Sequence, residues 1–165
     1  MNFSRSRIVV IIFLVLVGTF ANAQENQFSI TPTVGVGTMF VDGGTNLYIG
    51  VNPSLSLLPY LAVEGQLSYT YTKFSGFLTG EEGVSNAVNV LVGPRLYFTS
   101  QDKKVRPYIN FLAGGMYFHG RSDINETSEF SLGISTGPFI KINQFTVGIS
   151  FDAPQNRILK VGYTF

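Results

Sequence analysis

The sequence predicts an all-β fold, an eight-stranded antiparallel up-and-down β-barrel that crosses a membrane. Beyond residue 23, apolar residues alternate with small or polar ones in segment after segment, which is the period of a β-strand. Charged residues make up only 13% of the chain, beside 45% hydrophobic residues, whereas a soluble domain carries about a quarter charged residues. The alternating segments number eight, the smallest even number that single-chain bacterial membrane barrels use.

Residues 1–23 have the features of a cleaved signal peptide. Arg5 and Arg7 provide a basic start, an uncharged apolar run covers residues 8–18, and an Ala-Asn-Ala sequence ends the segment at residue 23. The apolar run is eleven residues long, whereas a spanning helix needs about 20. We therefore predict export, cleavage after residue 23, and a single barrel domain over residues 24–165.

The composition excludes several classes of protein. The chain contains no cysteine, so disulfide frameworks and cysteine-ligated metal sites are ruled out. Removal of the two arginines of the signal peptide leaves 9 basic residues (11 − 2) against 10 acidic ones, a balance without the basic excess of a nucleic-acid-binding protein. We expect no cofactor, no metal ion and no nucleic-acid partner.

The predicted strands are taken from the alternation alone. They run from Phe28 to Phe40, Leu47 to Leu57, Leu61 to Tyr71, Val88 to Phe98, Pro107 to Phe118, Phe130 to Ile142, Phe145 to Asp152 and Leu159 to Phe165. The fifth segment is ambiguous, because Tyr108, Leu112 and Met116 share a face with Asn110. Both faces of that strand remain candidates for the lumen.

The two faces of the strands indicate an inside-out barrel. One face consists mainly of Leu, Val, Ile and Phe, and the other of Gly, Ser, Thr and Asn with few charges. A face so small and neutral does not suit a water-exposed exterior, but it fits the narrow lumen of an eight-stranded barrel in lipid. Aromatic residues then form two outward girdles. The periplasmic girdle contains Phe28, Phe98, Phe145, Tyr163 and Phe165, and the outer girdle contains Phe40, Tyr69, Tyr71, Tyr117, Phe130 and Phe151.

The connections fit an N-terminus in the periplasm. Short inner turns are predicted near residues 58–60, 100–106 and 143, and outer loops near residues 42–46, 73–83, 119–129 and 153–156. The longer connections then lie outside, as is usual in these barrels. Four prolines fall inside predicted strands, namely Pro32, Pro53, Pro94 and Pro138. Because proline cannot donate a ladder hydrogen bond, we predict bulges or local ends of pairing there.

The stretches VGPRLYF and LKVGYTF, together with the signal peptide and the eight strands, resemble the small outer membrane β-barrel family related to the OmpA and OmpX barrels. The resemblance implies a monomer in the outer membrane of a Gram-negative cell, in contact with outer membrane lipids and lipopolysaccharide. It also implies that the barrel assembly machinery reads the last strand, with Tyr163 and Phe165 as its signal. Members of such a family share the barrel and differ in function.

The inward face holds the charged residues Glu64, Arg95, Lys141 and Lys160, with Asp152 and Arg157 toward its outer end. Charges in a narrow lumen are costly unless paired, so we predict a network in which Glu64 contacts Arg95 or a lysine and plugs the barrel. The expected function is a structural or surface-interaction role. The alternative is a small porin for small solutes, in which these charges would line a gated pore.

A third alternative is a lipid A-modifying hydrolase. His119 and Ser122 lie near the outer rim, and a histidine can activate a serine beside a carboxylate such as Glu126 or Glu129. The spacing differs from that of the lipid A deacylase barrels. A solvated loop histidine is the simpler interpretation, so we expect no enzyme activity.

Overall fold

The computed structural model describes residues 28–39, 44–75, 82–122, 126–153 and 156–165. The predicted signal peptide and the predicted girdle residue Phe40 lie outside these ranges. Within them, no helix is long and apolar enough to span a membrane.

Eight antiparallel strands close into one barrel, in which each strand pairs with its neighbours in the chain and β1 pairs with β8. The predicted fold is therefore confirmed. The strands are β1 (Phe28–Met39), β2 (Thr45–Leu58), β3 (Leu61–Ser75), β4 (Glu82–Tyr97), β5 (Val105–Ser122), β6 (Glu126–Ile142), β7 (Phe145–Asp152) and β8 (Asn156–Tyr163).

The stagger of the barrel can be read from the register of its strands. A row of directly paired residues leaves β6 at Thr136, passes through all the other strands and returns to β6 at Glu126, ten residues earlier. An offset of this size around eight strands corresponds to a strand tilt of about 40°. Because it has only eight strands, the barrel is narrow, with an interior that side chains can fill.

The apolar face of each strand lies on the outside of the barrel. Val90 and Leu132 are 61% and 68% exposed, whereas Thr70 and Ser135 on the other parity are 2% and 0% exposed. In the outer half, Tyr69, Val88, Tyr117 and Phe130 pair in one continuous outward row across β3 to β6. The inside-out arrangement follows from the alternation of the strands.

The predicted periplasmic girdle contains a cluster of three aromatic side chains. Tyr163 packs edge-on against Phe145 and Phe165, with ring centroids 5.1 Å and 4.9 Å apart. Phe165 also extends the seam between β8 and β1, because its N–H donates to the Ile30 carbonyl at 2.9 Å and its carbonyl accepts from the Ile30 N–H at 3.3 Å. The last residues of the chain are therefore held by the sheet.

Strands β3 to β6 are longer than predicted. Residues 73–83 and 119–129 were predicted as loops, but Ser75 pairs with Glu82 and Arg121 pairs with Glu126. The polar composition of these stretches suggested loops, whereas the backbone hydrogen bonds of the neighbouring strands continue through them. The four strands rise together beyond the ends of β7 and β8.

In the described part of the chain, one edge of this raised sheet is open. The pairing of β6 with β7 reaches Ser135 opposite Asp152, and the Ala153 N–H then donates to the Ile134 carbonyl at 2.7 Å. Beyond that point, β6 from residue 126 to residue 133 has no neighbouring strand on its β7 side within the described ranges. We call this stretch the β6 edge.

The strand prolines interrupt the pairing without shifting the register. Around Pro94, Val92 pairs with Ala113 and Arg95 pairs with Asn110, so two positions are skipped while the alignment stays the same. Matching gaps occur at Pro53 and Pro138, and beyond Pro32 the pairing of β1 with β8 resumes in the same alignment at Ile30 and Phe165. Local ends of pairing were thus the correct alternative and bulges the wrong one, since the register shift of β2 lies between Ser56 and Leu58 instead.

A glycine precedes two of these prolines and fills the gap with backbone. A Cβ on Gly93 would lie 1.9 Å from the Phe111 carbonyl oxygen, and one on Gly137 would lie 2.0 Å from the Ile149 oxygen. Phe111 and Ile149 stand opposite Pro94 and Pro138 in the register. The carbonyls that lack a proline N–H therefore approach the glycine Cα, which suits a weak Cα–H hydrogen bond.

Candidate functional site

The lumen contains two buried ion pairs, and Glu64 and Arg95 form the one nearer the short turns. Alternation directs both side chains inward from β3 and β4, and both are 2% exposed. Arg95 Nε donates to Glu64 Oε2 at 2.8 Å. A buried charge needs such a partner, so each of the two holds the other in the lumen.

Neutral amides complete the surroundings of Glu64. Asn52 Nδ2 donates to Oε1 at 2.8 Å, and Asn110 Nδ2 donates to Oε2 at 3.3 Å. The Asn52 Oδ1 in turn accepts from Thr33 Oγ1 at 2.6 Å. Side chains of β2, β4 and β5 therefore meet at the Glu64 carboxylate of β3, and β1 joins this group through Asn52.

Aromatic rings close the lumen beside this pair. The Arg95 guanidinium lies 4.5 Å from the centre of the Tyr108 ring, and Nη1 donates to the Tyr97 hydroxyl at 3.0 Å. Tyr108 stacks on Phe139 with centroids 5.2 Å apart and planes 11° apart. A guanidinium above an aromatic face gains a cation–π attraction, so the rings hold the cation as well as fill space.

The second ion pair lies nearer the outer end and joins β7 to β8. Lys160 Nζ donates to Asp152 Oδ2 at 3.0 Å and lies 4.1 Å from the centre of the Tyr48 ring. It also donates to Gln66 Oε1 at 3.4 Å, and Ser135 Oγ donates to Asp152 Oδ1 at 2.6 Å. Large apolar side chains surround this layer, with Leu112 1% and Ile158 0% exposed.

Almost no free space separates the two layers. The residual cavity between Arg95, Glu64 and Lys160 measures about 10 Å³, which is at most the room of one water molecule. The lumen of the described barrel is therefore filled at two successive levels.

The four predicted lumen charges do not form a single network. Glu64 meets Arg95, but Lys160 pairs with Asp152 instead of Glu64. Lys141 lies at the inner end of β6, partly buried, and makes no ion pair within the described residues. The parity of the strands was enough to direct these side chains inward, whereas their partners depend on the register between strands.

The closing aromatic residues were not identified as site residues. Tyr97, Tyr108 and Phe139 are buried in the lumen at 7%, 3% and 5% exposure. Tyr108 lay on the strand with two possible faces, which the structure resolves with Tyr108, Asn110, Leu112 and Met116 inward. The signal that could have revealed them is a large aromatic residue on the polar face of a strand, near an arginine whose side chain points inward.

His119 contacts a different serine from the one predicted. Its Nδ1 lies 2.8 Å from Ser128 Oγ. The two residues are paired in the register of β5 with β6, and both lie on the outward face of the barrel wall. Glu129 has the opposite parity to Ser128 and belongs to the other face of β6. The side chains of Ser122 and Glu126 fall outside the description. In the described part, no three His, Asp or Glu side chains group as metal ligands.

The two residues of the predicted assembly signal share the inner rim. Phe165 is 75% exposed and Tyr163 partly buried, and their rings are in contact. Both side chains point outward beside Phe145.

Comparisons with known proteins bear on the fold. No family model matches the chain, and no curated protein matches it in sequence. Among solved structures it is similar to the outer membrane enzyme PagL, with a TM-score of 0.54 at 16% identity over 82% of this chain and 98% of PagL.

Two further solved barrels show the same likeness. Ail, the attachment invasion locus protein of Yersinia pestis, was crystallised with the heparin analogue sucrose octasulfate, and matches with a TM-score of 0.50 at 17% identity over 84% of this chain and 97% of Ail. Neisserial surface protein A matches with a TM-score of 0.50 at 9% identity over 83% of this chain and 94% of that one. The chain therefore has the fold of the small eight-stranded transmembrane barrels of outer membranes.

Proposed function

We propose that this protein is a sealed barrel of the Gram-negative outer membrane with a structural or surface-interaction role. The observation that carries the proposal is the filled lumen, where two buried ion pairs and their aromatic neighbours leave about 10 Å³ between them. A water-filled path for solutes would need both layers to separate. Opening either pair would leave uncompensated charges in a narrow interior, at a cost of several kcal/mol.

Single-channel conductance of the refolded residues 24–165 in a planar bilayer tests this proposal. We expect no steps above the noise of the bare bilayer, with a general porin added afterwards to the same membrane as the positive control. Stable, reproducible steps from the protein itself would contradict the sealed lumen and favour the small porin.

The surface-interaction role is assigned to the raised sheet of β3 to β6. The β6 edge carries unpaired backbone groups over eight residues, 126–133, in the described structure. Such an edge accepts an added strand from an extended peptide. Natural edges are often protected by Lys or Pro, and this stretch, ETSEFSLG, contains neither. The proposed partner is therefore an extended segment of another protein at the cell surface.

Assembly is proposed to depend on Phe165 as a signal and not only as a girdle residue. Phe98 provides a matched control, because it is an inner-rim aromatic with 68% exposure against 75% for Phe165. We expect Phe165→Ala to lower the amount of folded barrel in the outer membrane much more than Phe98→Ala. Equal losses would show that both residues act only as girdle aromatics.

The proposal assigns no catalytic step to the His119–Ser128 contact. The contact joins two neighbouring strands near the outer rim, which is a sufficient structural role for it. Expression of the wild type and of His119→Ala in the same host should leave the lipid A acylation pattern identical. Acyl-chain loss that requires His119 would favour the hydrolase instead.

A further inference from the structure

Two cations face each other at the inner mouth of the barrel, the end with the turns at residues 59–60, 98–104 and 143–144. Arg106 of β5 is paired in register with Lys141 of β6. Arg106 has the inward parity of the buried Tyr108, and Lys141 has that of the buried Phe139. Directly opposed residues of an antiparallel pair have Cβ atoms about 5 Å apart, so two like charges here repel each other.

Neither cation has a carboxylate partner within the described residues. The Arg106 guanidinium lies 3.7 Å from the centre of the Tyr97 ring, and Nη2 donates to the Pro59 carbonyl at 3.4 Å. Its Nε is buried and has no hydrogen-bond partner among the residues that the structure describes. Lys141 is partly buried and makes no hydrogen bond or ion pair in the same part of the chain. Two donors at one site therefore lack an acceptor.

The surrounding carboxylates in the described part of the chain are already engaged. Glu64 is bound to Arg95 at 2.8 Å, and Asp102 in the exposed turn contacts Lys103 at 3.5 Å. The Asn143 N–H donates to the Lys104 carbonyl at 2.8 Å, which holds the basic turn against the turn between β6 and β7. Among the described residues, the inner mouth thus carries more positive than negative charge, and its two turns are fixed relative to each other.

We propose that Arg106 and Lys141 bind a phosphate group at the inner mouth. A phosphate monoester carries close to two negative charges at neutral pH, which matches the two unpaired cations better than a single carboxylate does. A guanidinium supplies a planar fork of donors and a lysine supplies a mobile point charge, a pairing suited to phosphate oxygens. Tyr97 and Pro59 hold the guanidinium in place before the anion arrives.

The phosphate could come from free phosphate or from a lipid headgroup, and two probes separate these sources. The refolded residues 24–165 in zwitterionic detergent and dilute chloride buffer are titrated with inorganic phosphate by calorimetry. In parallel, phosphatidylcholine nanodiscs that contain phosphatidic acid are prepared with and without the protein, and are compared through the phosphorus resonance of the phosphatidic acid. The site variants are Arg106→Gln and Lys141→Gln. The matched control is Lys103→Gln, which removes one charge from the exposed adjacent turn.

We expect saturable binding of at least one probe, weakened tenfold or more in each site variant and unchanged in Lys103→Gln. Binding of inorganic phosphate supports a free-ion site, and binding of phosphatidic acid alone supports a headgroup site. Absence of binding with both probes, or equal binding by all four proteins, would overturn the proposal. Heat-modified migration on gels confirms that every variant is folded before it is titrated. The result is independent of conductance, so it stands apart from the sealed-lumen proposal.

Discussion

Glu64 accepts hydrogen bonds from three side chains that come from three different strands. Arg95, Asn52 and Asn110 all donate to its two oxygens. Removal of this carboxylate leaves the Arg95 guanidinium buried with neutral partners only, and a buried charge without a counter-ion is more costly than an absent pair. At the scale of single residues, Glu64 is thus the point on which the inner layer depends.

The variant Glu64→Ala should lower the free energy of unfolding by about 3–5 kcal/mol, the range for a broken buried pair. The chain contains no tryptophan, so urea unfolding in lipid vesicles is followed by far-UV circular dichroism. The control is Asp102→Asn, which removes the carboxylate of an exposed pair and should not measurably change stability. Equal stability of Glu64→Ala and wild type would contradict the proposed role of the pair.

Sequence alone predicted which charges point inward but not all of their partners. Glu64 and Arg95 lie on adjacent strands with opposite charge, so their contact could be anticipated. Lys160 stands opposite Gly148, four residues from Asp152 along β7, so this contact depends on the reach of the lysine side chain along the lumen. A period of two assigns a side chain to a face, whereas partner choice depends on alignment between strands, which single segments do not encode.

At the scale of elements, the Gly-Pro pairs of β4 and β6 replace two ladder hydrogen bonds by close backbone contact. The absence of a Cβ on Gly93 is what lets the Phe111 carbonyl approach. The prolines were recognisable in the sequence. The need for a residue without a Cβ beside them became apparent only from the register between strands.

The variant Gly93→Ala should destabilise the barrel by about 1–3 kcal/mol, the usual cost of forcing extra volume into a packed site. Its Cβ would lie 1.9 Å from a backbone oxygen that is held by the neighbouring strand. Gly65→Ala is the control, since its nearest neighbour is the Pro53 side chain at 3.2 Å. Urea midpoints measured side by side decide the matter, and equal midpoints for the two variants would refute the close approach.

The β6 edge makes a prediction for hydrogen exchange. Between residues 127 and 133, amides that point toward β5 are hydrogen-bonded, whereas the alternate ones point to the open side. We expect the alternate amides to exchange much faster in nanodiscs, as resolved by NMR. The protected amides of the same stretch act as the internal control. Uniform protection would mean that something covers the edge and would remove the proposed peptide site.

At the scale of the whole molecule, the number of strands and the two packed layers belong together. Eight strands enclose a narrow interior, so one ion pair with its neighbours is enough to fill each level. The barrel class was predictable from strand number and alternation. The presence of two sealing layers was not predictable. It depends on which inward residues of different strands lie at the same level along the barrel axis.

The two layers imply that a single substitution will not open the lumen. Glu64→Ala removes the inner pair, but Asp152, Lys160 and the Tyr48 ring still close the outer level. Asp152→Ala alone leaves the Arg95 and Tyr108 layer in place. We therefore expect no conductance steps from either single variant in a planar bilayer, because each layer alone seals the lumen. The double variant should show conductance steps. Each protein is first checked for a folded barrel by heat-modified migration on gels.

Steps from Glu64→Ala alone would show that the inner layer is the only seal. Absence of steps from a folded double variant would instead assign the closure to the side chains that both substitutions leave intact, namely the stacked rings of Tyr108 and Phe139 and the apolar side chains around Leu112 and Ile158.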